Sequence, residues 1–336
     1  MQSLRSRLSE IGVRRAYVNQ TLLPSWWDDE IAEEPNGLLQ AAGLIGIRLG
    51  IPVEVLLNAK KELRPPMIAD SRFKRSKNHE FEDLGFATAI ARQAANLVLR
   101  ASGELPAYKR CPKATTFRTK LQGLRDDRWV GLPDLIEGAW SRGIPIIYLS
   151  KVAFPTGVKK PDAIIVKVGG RPCIVICKQQ KFPAWVAFYV AHELGHDHEG
   201  HLEDDDGAWI DLTLSSKMAE DEPKEELQAN EYAEILLKGQ AGLGLTSKVR
   251  LTGRRLAEIA ARAGKVNCID PGTLALGYGY MTSFSVANAA LGLLPSEGTP
   301  PIKSTNQALA KRIDWTAISE DDGEWLRRIT ELPKPE

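Results

Sequence analysis

The sequence predicts an α+β protein in which a small antiparallel or mixed sheet is flanked by helical regions. Strand-type segments are confined to residues 144–178, whereas apolar residues recur at helical spacing on both sides of them. The longest apolar run, residues 185–191, lies in a helical pattern directly after the last predicted strand. This order packs one helix against the sheet, and that helix is the expected centre of the fold.

Composition excludes several classes of protein. The chain has 336 residues with 44 basic and 43 acidic side chains, so its overall charge favours neither nucleic acid nor an acidic partner. The first residues lack the apolar core of a signal peptide, and residues 185–191 are too few to span a bilayer. The 4 cysteines form no C-x-x-C pair. We therefore expect a cytoplasmic protein with reduced thiols and no membrane partner.

Helix patterns, turn residues and charge predict five divisions of the chain. They are 1–60, a small helical domain; 61–78, a basic linker; 79–128, a helical region; 129–240, the domain that contains the sheet; and 241–336, a C-terminal helical region. The end of the first division resembles a helix-turn-helix domain, so residues 1–76 either contact DNA or form a small helical domain that packs on its neighbour. Within the third division, residues 108–128 predict a basic loop.

The central domain is predicted to contain three strands, over residues 144–150, 162–168 and 171–178. Gly169 and Gly170 supply the positive φ angles of a tight hairpin between the last two strands. Cys173 and Cys177 face the same side of the last strand, where we expect a buried apolar role rather than metal binding.

The helix after this strand lies within residues 183–202, which contain four of the protein's 5 histidines. His192, Glu193 and His196 form the pattern H-E-x-x-H, which is typical of zinc peptidases. Because residues four apart share a helix face, His192 and His196 can bind one ion through their imidazole nitrogens. Glu193 is rotated about 100° from His192 and can take a proton from water beside that ion.

Two histidines leave a catalytic zinc ion one protein ligand short. The helix predicted over residues 224–238 offers four carboxylates, Glu225, Glu226, Glu231 and Glu234. Its alanines and leucines define a buried face at helical spacing, and Glu226 and Asn230 fall on that face. Glu226 is therefore the predicted third ligand, with Glu225, about 100° away, as the alternative. Asn230 is placed to accept the free ring N–H of either His192 or His196.

His198 and His201 make the histidine cluster dense, but their spacing does not complete the site. A third histidine ligand directly after the motif would need glycine at position 199 and histidine at position 202, where Glu199 and Leu202 stand. We therefore expect His198 and His201 to lie outside the ligand set. A structural zinc site would have four protein ligands and leave Glu193 without a role, so the pattern predicts a catalytic Zn²⁺ ion.

The segment AHELGHDHEGH, followed by EELQANEYAEILL and preceded by GIPIIYLS and a hairpin, resembles the ImmA/IrrE family of metallopeptidases. The resemblance covers about residues 129–237, and it implies a zincin-like metallopeptidase domain with a gluzincin-like site in the division 129–240. The site residues it implies are the metal ligands His192, His196 and Glu226 and the catalytic base Glu193.

The motif and the resemblance together predict a zinc-dependent endopeptidase that hydrolyses a peptide bond in a protein substrate. The resemblance implies a helix-turn-helix repressor or antitoxin as that substrate, in a stress or mobile-element response. The alternative is a DNA-binding transcriptional regulator whose zinc domain senses or binds a partner without proteolysis. The hairpin over 162–178 is the expected edge along which an extended peptide would bind. The unranked candidates for stabilising the oxyanion are Tyr232, Tyr278, Tyr280 and His201.

Overall fold

The computed structural model describes residues 1–66, 84–124, 129–202, 208–210, 223–295 and 298–333. Within these ranges it is mainly helical with one four-stranded sheet, so the predicted α+β class is confirmed. The helices before the sheet are α1 (Gln2–Glu10), α2 (Arg15–Tyr17), α3 (Pro35–Leu49), α4 (Val53–Leu57), α5 (Gly85–Ala101), α6 (Ala114–Gln122) and α7 (Leu132–Trp140). The later helices are α8 (Pro183–Glu199), α9 (Lys224–Lys238), α10 (Gly253–Asn267), α11 (Pro271–Met281), α12 (Phe284–Leu291), α13 (Pro301–Ala310) and α14 (Glu320–Thr330). None of these described helices combines the length and the hydropathy needed to cross a membrane.

The sheet consists of β1 (Ile146–Tyr148), β2 (Ala163–Val168), β3 (Arg171–Ile176) and β4 (Ala208–Ile210), in the order β1-β3-β2-β4. Strand β1 is parallel to β3, while β2 is antiparallel to both β3 and β4, so the sheet is mixed. The predicted hairpin turn is confirmed, because φ is 55° at Gly169 and 76° at Gly170. Glycine adopts these positive angles without the steric strain of a side chain.

The expected position of the hairpin at the edge of the sheet is wrong. Strand β3 also pairs with β1, and β2 also pairs with β4, so both hairpin strands lie inside the sheet. Among the described residues the edge strands are β1 and β4. Strand β4 is the only described part of the segment 203–222. The outer main chain of β1 is covered, because Asn306 of α13 accepts from the N–H of Tyr148 and donates to its carbonyl oxygen. A peptide that adds to this sheet would therefore have to pair with β4.

The predicted basic loop over residues 108–128 contains a helix, α6. Phe117 is buried on one side of α6, and Arg118 donates hydrogen bonds to the carbonyl oxygens of Leu236 at 3.0 Å and Leu237 at 2.7 Å. These carbonyl groups belong to the last turn of α9, where the helix itself provides no donors. Packing against α9 therefore stabilises this helix, in which three threonines have only modest helix propensity.

Helix α8 packs against strands β2 and β3 on one side and against helix α9. It begins at Pro183, a suitable first residue because an N–H group there would have no acceptor within the helix. It is followed by Gly200, whose φ of 77° is typical of the residue after a helix end. Gly195 faces α9, and a Cβ atom added there would lie 2.9 Å from the Cα of Ala229. The glycine inside the H-E-x-x-H motif therefore lets the two helices approach closely enough to share a site.

The N-terminal helices pack against the last helix of the chain, α14. Arg48 of α3 is 1% exposed and donates to the carbonyl oxygens of Leu22 and Asp321, the second at 3.0 Å. Its guanidinium group also lies over the ring of Trp325, 5.4 Å from the ring centroid. The predicted linker 61–78 is described only as far as residue 66. DNA contact through residues 1–76 stays a prediction.

Candidate metal centre

Helix α8 brings His192 and His196 to one face, as their four-residue spacing requires. The two side chains are 1% and 0% exposed, and their Nε2 atoms lie 2.9 Å apart. Burial, with smaller contributions from His192 and His201, lowers the pKa of His196 well below its ordinary range. His196 is therefore a neutral imidazole, which is the form that offers a lone pair to a metal ion.

Helix α9 supplies a third side chain from its first turn, Glu226. The Oε2 atom of Glu226 lies 3.2 Å from Nε2 of His192, and its Oε1 atom lies 3.7 Å from Nε2 of His196. Among the described residues, these three form a group whose ligand atoms all lie within 4.8 Å of one another. The structure thus brings together the three residues that the sequence predicts as ligands.

The separations within this group are close to those between the ligand atoms of a tetrahedral metal ion. Bond lengths of about 2.0–2.1 Å and tetrahedral angles place two ligand atoms about 3.3 Å apart. The Nε2 atoms of His192 and His196 lie 2.9 Å apart, Oε2 of Glu226 lies 3.2 Å from the first, and the other oxygen, Oε1, lies 3.7 Å from the second. The three side chains therefore lie close enough to share one metal ion.

The other carboxylates of α9 have different surroundings. Glu234 forms an ion pair with Lys238 one turn further on, and Glu231 is exposed. Glu225 is partly buried but does not belong to the group of three. Of the four carboxylates considered from the sequence, Glu226 is the one that meets both histidines.

Asn230 lies one turn after Glu226 on α9. Its Oδ1 atom is 3.0 Å from Nδ1 of His192, the ring nitrogen that does not face Glu226. A histidine that binds a metal through Nε2 carries its proton on Nδ1, so Asn230 can accept this N–H and hold the ring in place. Of the two histidines expected as its partner, the structure selects His192.

Glu193 is 1% exposed and lies near Cys177, the residue after strand β3. Burial above all raises the pKa of the Cys177 thiol, and the negative charge of Glu193 adds to this rise. Cys173 and Cys177 are both fully buried free cysteines, as predicted. Glu193 directly follows His192 in α8, and its role as a base stays a prediction.

Neither His198 nor His201 belongs to the group of three. Nδ1 of His198 lies 2.8 Å from the carbonyl oxygen of Cys111, and its ring packs against Tyr232 with centroids 5.0 Å apart. His198 thus joins the segment before α6 to α8. His201 instead contacts a predicted ligand, with its Nδ1 atom 2.8 Å from Nδ1 of His196. Helical spacing does not predict this contact, because the turn after α8 produces it.

The candidate residues for the oxyanion have different positions. The hydroxyl of Tyr232 donates to a carbonyl oxygen in the segment before α6, and the hydroxyl of Tyr278 accepts a backbone N–H from the segment before α10. Tyr280 packs against Phe188, with ring centroids 5.6 Å apart. Phe188 in turn stacks on His192 at a centroid distance of 6.3 Å. Of these candidates, His201 contacts His196 directly, and Tyr280 lies one side chain away from His192, behind Phe188.

Fold and site geometry together define an α+β protein with two buried histidines and a partly buried glutamate that could hold a metal ion. Compared with known proteins, the chain matches no family model, no curated protein and no solved structure. All three ligand residues lie on helices α8 and α9, which the structure describes over their full lengths.

Proposed function

We propose that the chain is a zinc-dependent endopeptidase with a zincin-like domain of the ImmA/IrrE type. The observation that carries this proposal is the convergence of ligand-type atoms from His192, His196 and Glu226, all within 4.8 Å of one another. Two imidazoles and one carboxylate form the ligand set of known catalytic zinc sites. A structural zinc site would need a fourth protein ligand, and the group found among the described residues has three.

The residues of the site have separate tasks in peptide hydrolysis. His192, His196 and Glu226 hold the ion, and zinc, when bound, supplies the Lewis acidity that polarises a carbonyl group and acidifies water. Glu193 accepts a proton from the attacking water at its carboxylate and donates it to the departing nitrogen. The C–N bond then breaks, and a carboxylic acid and an amine are formed. Asn230 keeps the ring of His192 in the orientation that leaves Nε2 for the ion.

The proposed substrate is a helix-turn-helix repressor or antitoxin, which the resemblance of the motif-bearing segments implies, in a stress or mobile-element response. Such a protein would present an extended segment to the enzyme, and the edge strand β4 offers a place for it to pair.

The substitution Glu193→Gln tests the proposed activity. Wild type and variant, each loaded with zinc, are incubated with candidate helix-turn-helix proteins, and new N-termini are identified by mass spectrometry. We expect cleavage by the variant to be slower by about 10² to 10⁴-fold, with an unchanged zinc content, because only the base is removed. Identical fragments at an equal rate from both proteins would contradict the role of Glu193. Zinc binding by both proteins without any fragment would favour the alternative, a DNA-binding regulator that binds a partner without proteolysis.

A further inference from the structure

The turn that ends α8 places a further histidine beside the metal-binding group. Gly200 has a φ of 77°, and its N–H donates to the carbonyl oxygen of Asp197. The N–H of His201 donates to the carbonyl oxygen of His196 at 3.1 Å. This pair of hydrogen bonds is the Schellman arrangement, in which a left-handed residue folds the chain back over the last helical turn. The backbone therefore returns the side chain of His201 to that of His196.

The two rings meet through one pair of atoms. Nδ1 of His201 lies 2.8 Å from Nδ1 of His196, and the ring centroids are 5.0 Å apart. On the other side of the ring, Nε2 of His196 lies 2.9 Å from Nε2 of His192. With Nε2 of His196 directed at the metal-binding group, the proton of this neutral ring is on Nδ1. That N–H then donates to the lone pair of Nδ1 in His201.

Helix α9 supplies the next partner, Gln228, two residues after Glu226. Burial lowers the pKa of His201, and a hydrogen bond with the Gln228 side chain opposes this lowering. Because Nδ1 of His201 accepts from His196, the N–H of the neutral His201 ring is on Nε2, and the atom of the Gln228 side chain that can accept it is the amide oxygen. The amide nitrogen of Gln228 donates in turn to Oε2 of Glu199 at 3.1 Å.

All hydrogen bonds of this series run in one direction. Each group from His196 through His201 and Gln228 donates to the next, and the series ends at the carboxylate of Glu199. Hydrogen bonds in series polarise one another, and an acceptor behind a ligating imidazole makes that imidazole a stronger ligand. Because Glu199 is exposed, water screens its charge, and the immediate acceptor, His201, makes the largest contribution.

We propose that His201 is the positioning residue of His196, holding that ring in the tautomer and orientation that present Nε2 to the metal ion. This inference rests on the proposed zinc site, and it gives His201 neither ligation nor contact with substrate. His201 lies at the Nδ1 side of His196, away from the Nε2 atoms that face the ion. The two histidine ligands are then fixed by different means, His192 from helix α9 and His196 from the turn that ends α8.

Metal binding by matched variants tests this inference. His201→Phe keeps a ring of similar size and removes the acceptor, whereas His201→Gln retains an acceptor oxygen. His198→Phe is the control, because the neighbouring His198 binds a backbone carbonyl oxygen instead of a ligand. Zinc affinity is measured by competition with a chromophoric chelator, and the visible absorption of bound Co²⁺ reports the ligand geometry. Thermal unfolding without metal shows whether each variant is folded.

We expect His201→Phe to weaken zinc binding by about 10 to 100-fold and to alter the Co²⁺ spectrum. His201→Gln should recover most of the affinity, and His198→Phe should leave the affinity and the spectrum unchanged. An unchanged affinity and spectrum in a folded His201→Phe variant would overturn the inference and leave the zinc site standing. A wild type that binds no zinc would instead overturn the proposed function, and the inference with it.

Gln228→Met gives a second measurement in case His201→Phe does not fold. It removes the acceptor of the next hydrogen bond from a partly exposed position and leaves both histidines in place. We expect a loss of zinc affinity below about 10-fold, because the acceptor removed is one step further from the ligand. An affinity equal to that of the wild type would count against the series and overturn the inference.

Discussion

The metal-binding group and the buried Arg48 are two places where the protein hides polar side chains, and they are built differently. Arg48 donates to carbonyl oxygens of two distant segments and lies over the ring of Trp325. Burial lowers the pKa of Arg48 to about 10, so its charge is kept at neutral pH. His192, His196 and Glu226 instead direct their nitrogen and oxygen atoms at one another.

The buried side chain of Arg48 stabilises the fold, whereas the side chains of His192, His196 and Glu226 are arranged to bind a ligand. The cation of Arg48 is stabilised by oxygen atoms and an aromatic face that the protein itself provides, and it joins the N-terminal helices to α14. Three atoms with lone pairs, gathered within 4.8 Å, favour a cation between them. Loss of Arg48 should therefore weaken folding, whereas loss of a ligand should weaken metal binding.

Of the substitutions that test this comparison, Glu226→Ala should change the free energy of unfolding most. Zinc at about 1,000 times its Kd adds about 4 kcal/mol to the free energy of unfolding. The variant should lose most of this zinc-dependent increment, because one of three ligands is gone. Thermal unfolding with and without zinc measures the increment. Glu225→Ala, in the same helical turn, is the control and should keep all of it; an increment that survives in Glu226→Ala would contradict the ligand assignment.

Arg48→Met should destabilise the metal-free protein by about 3 kcal/mol, because it leaves the carbonyl oxygen of Leu22 buried without this donor. Urea unfolding in the absence of zinc measures this change. The zinc-dependent increment should be unaffected. Arg254→Met, at an exposed position of α10, should change stability by less than about 0.5 kcal/mol. A loss of zinc binding in Arg48→Met would contradict the conclusion that Arg48 serves folding and not metal binding.

Asn230→Leu should weaken zinc binding by about 10-fold, because Nδ1–H of His192 loses its acceptor while all three ligands remain. Chelator competition measures the affinity. Asn230→Asp keeps an acceptor oxygen in the same place and should bind zinc at least as tightly as the wild type. If Asn230→Leu matches the wild type, the contact at 3.0 Å does not support the ligand.

The smallest expected effect concerns Asp270, a partly buried carboxyl group near the carboxyl group of Asp134. Burial raises its pKa and the neighbouring Asp134 adds to the rise, against hydrogen bonds from the N–H groups of Gly272 and Thr273. The folded state therefore holds this proton more tightly than the unfolded state, and stability is lost as pH rises from about 4 through the raised pKa.

Asp270→Asn keeps the acceptor that caps α11 and removes the charge. The free energy of unfolding of the variant, minus that of the wild type, should become more positive over the same rise in pH. Urea unfolding at a series of pH values without metal measures this difference. A difference that stays constant with pH would show that Asp270 does not titrate as its surroundings indicate.

The sequence by itself determined the parts of this protein that follow from local periodicity. Spacing of 3.6 residues per turn places His192 and His196 on one face of α8, and Glu226 and Asn230 on one face of α9. Alternation along a strand buries Cys173 and Cys177 together, and two successive glycines specify the hairpin turn. These features depend on neighbours within a few residues, so the chain's own geometry is sufficient to predict them.

Only the tertiary structure decided which distant groups meet. The neighbours of the hairpin strands are β1 and β4. Helix α6 forms because Arg118 bonds to α9 and the apolar face of α6 packs on the core. Asn230 meets His192 rather than His196 because of the way α8 and α9 are packed at Gly195. A glycine after α8 predicts a left-handed turn, but the side chain that His201 then reaches depends on how that turn and α9 surround it. Such contacts arise from packing between elements, which local sequence patterns do not contain.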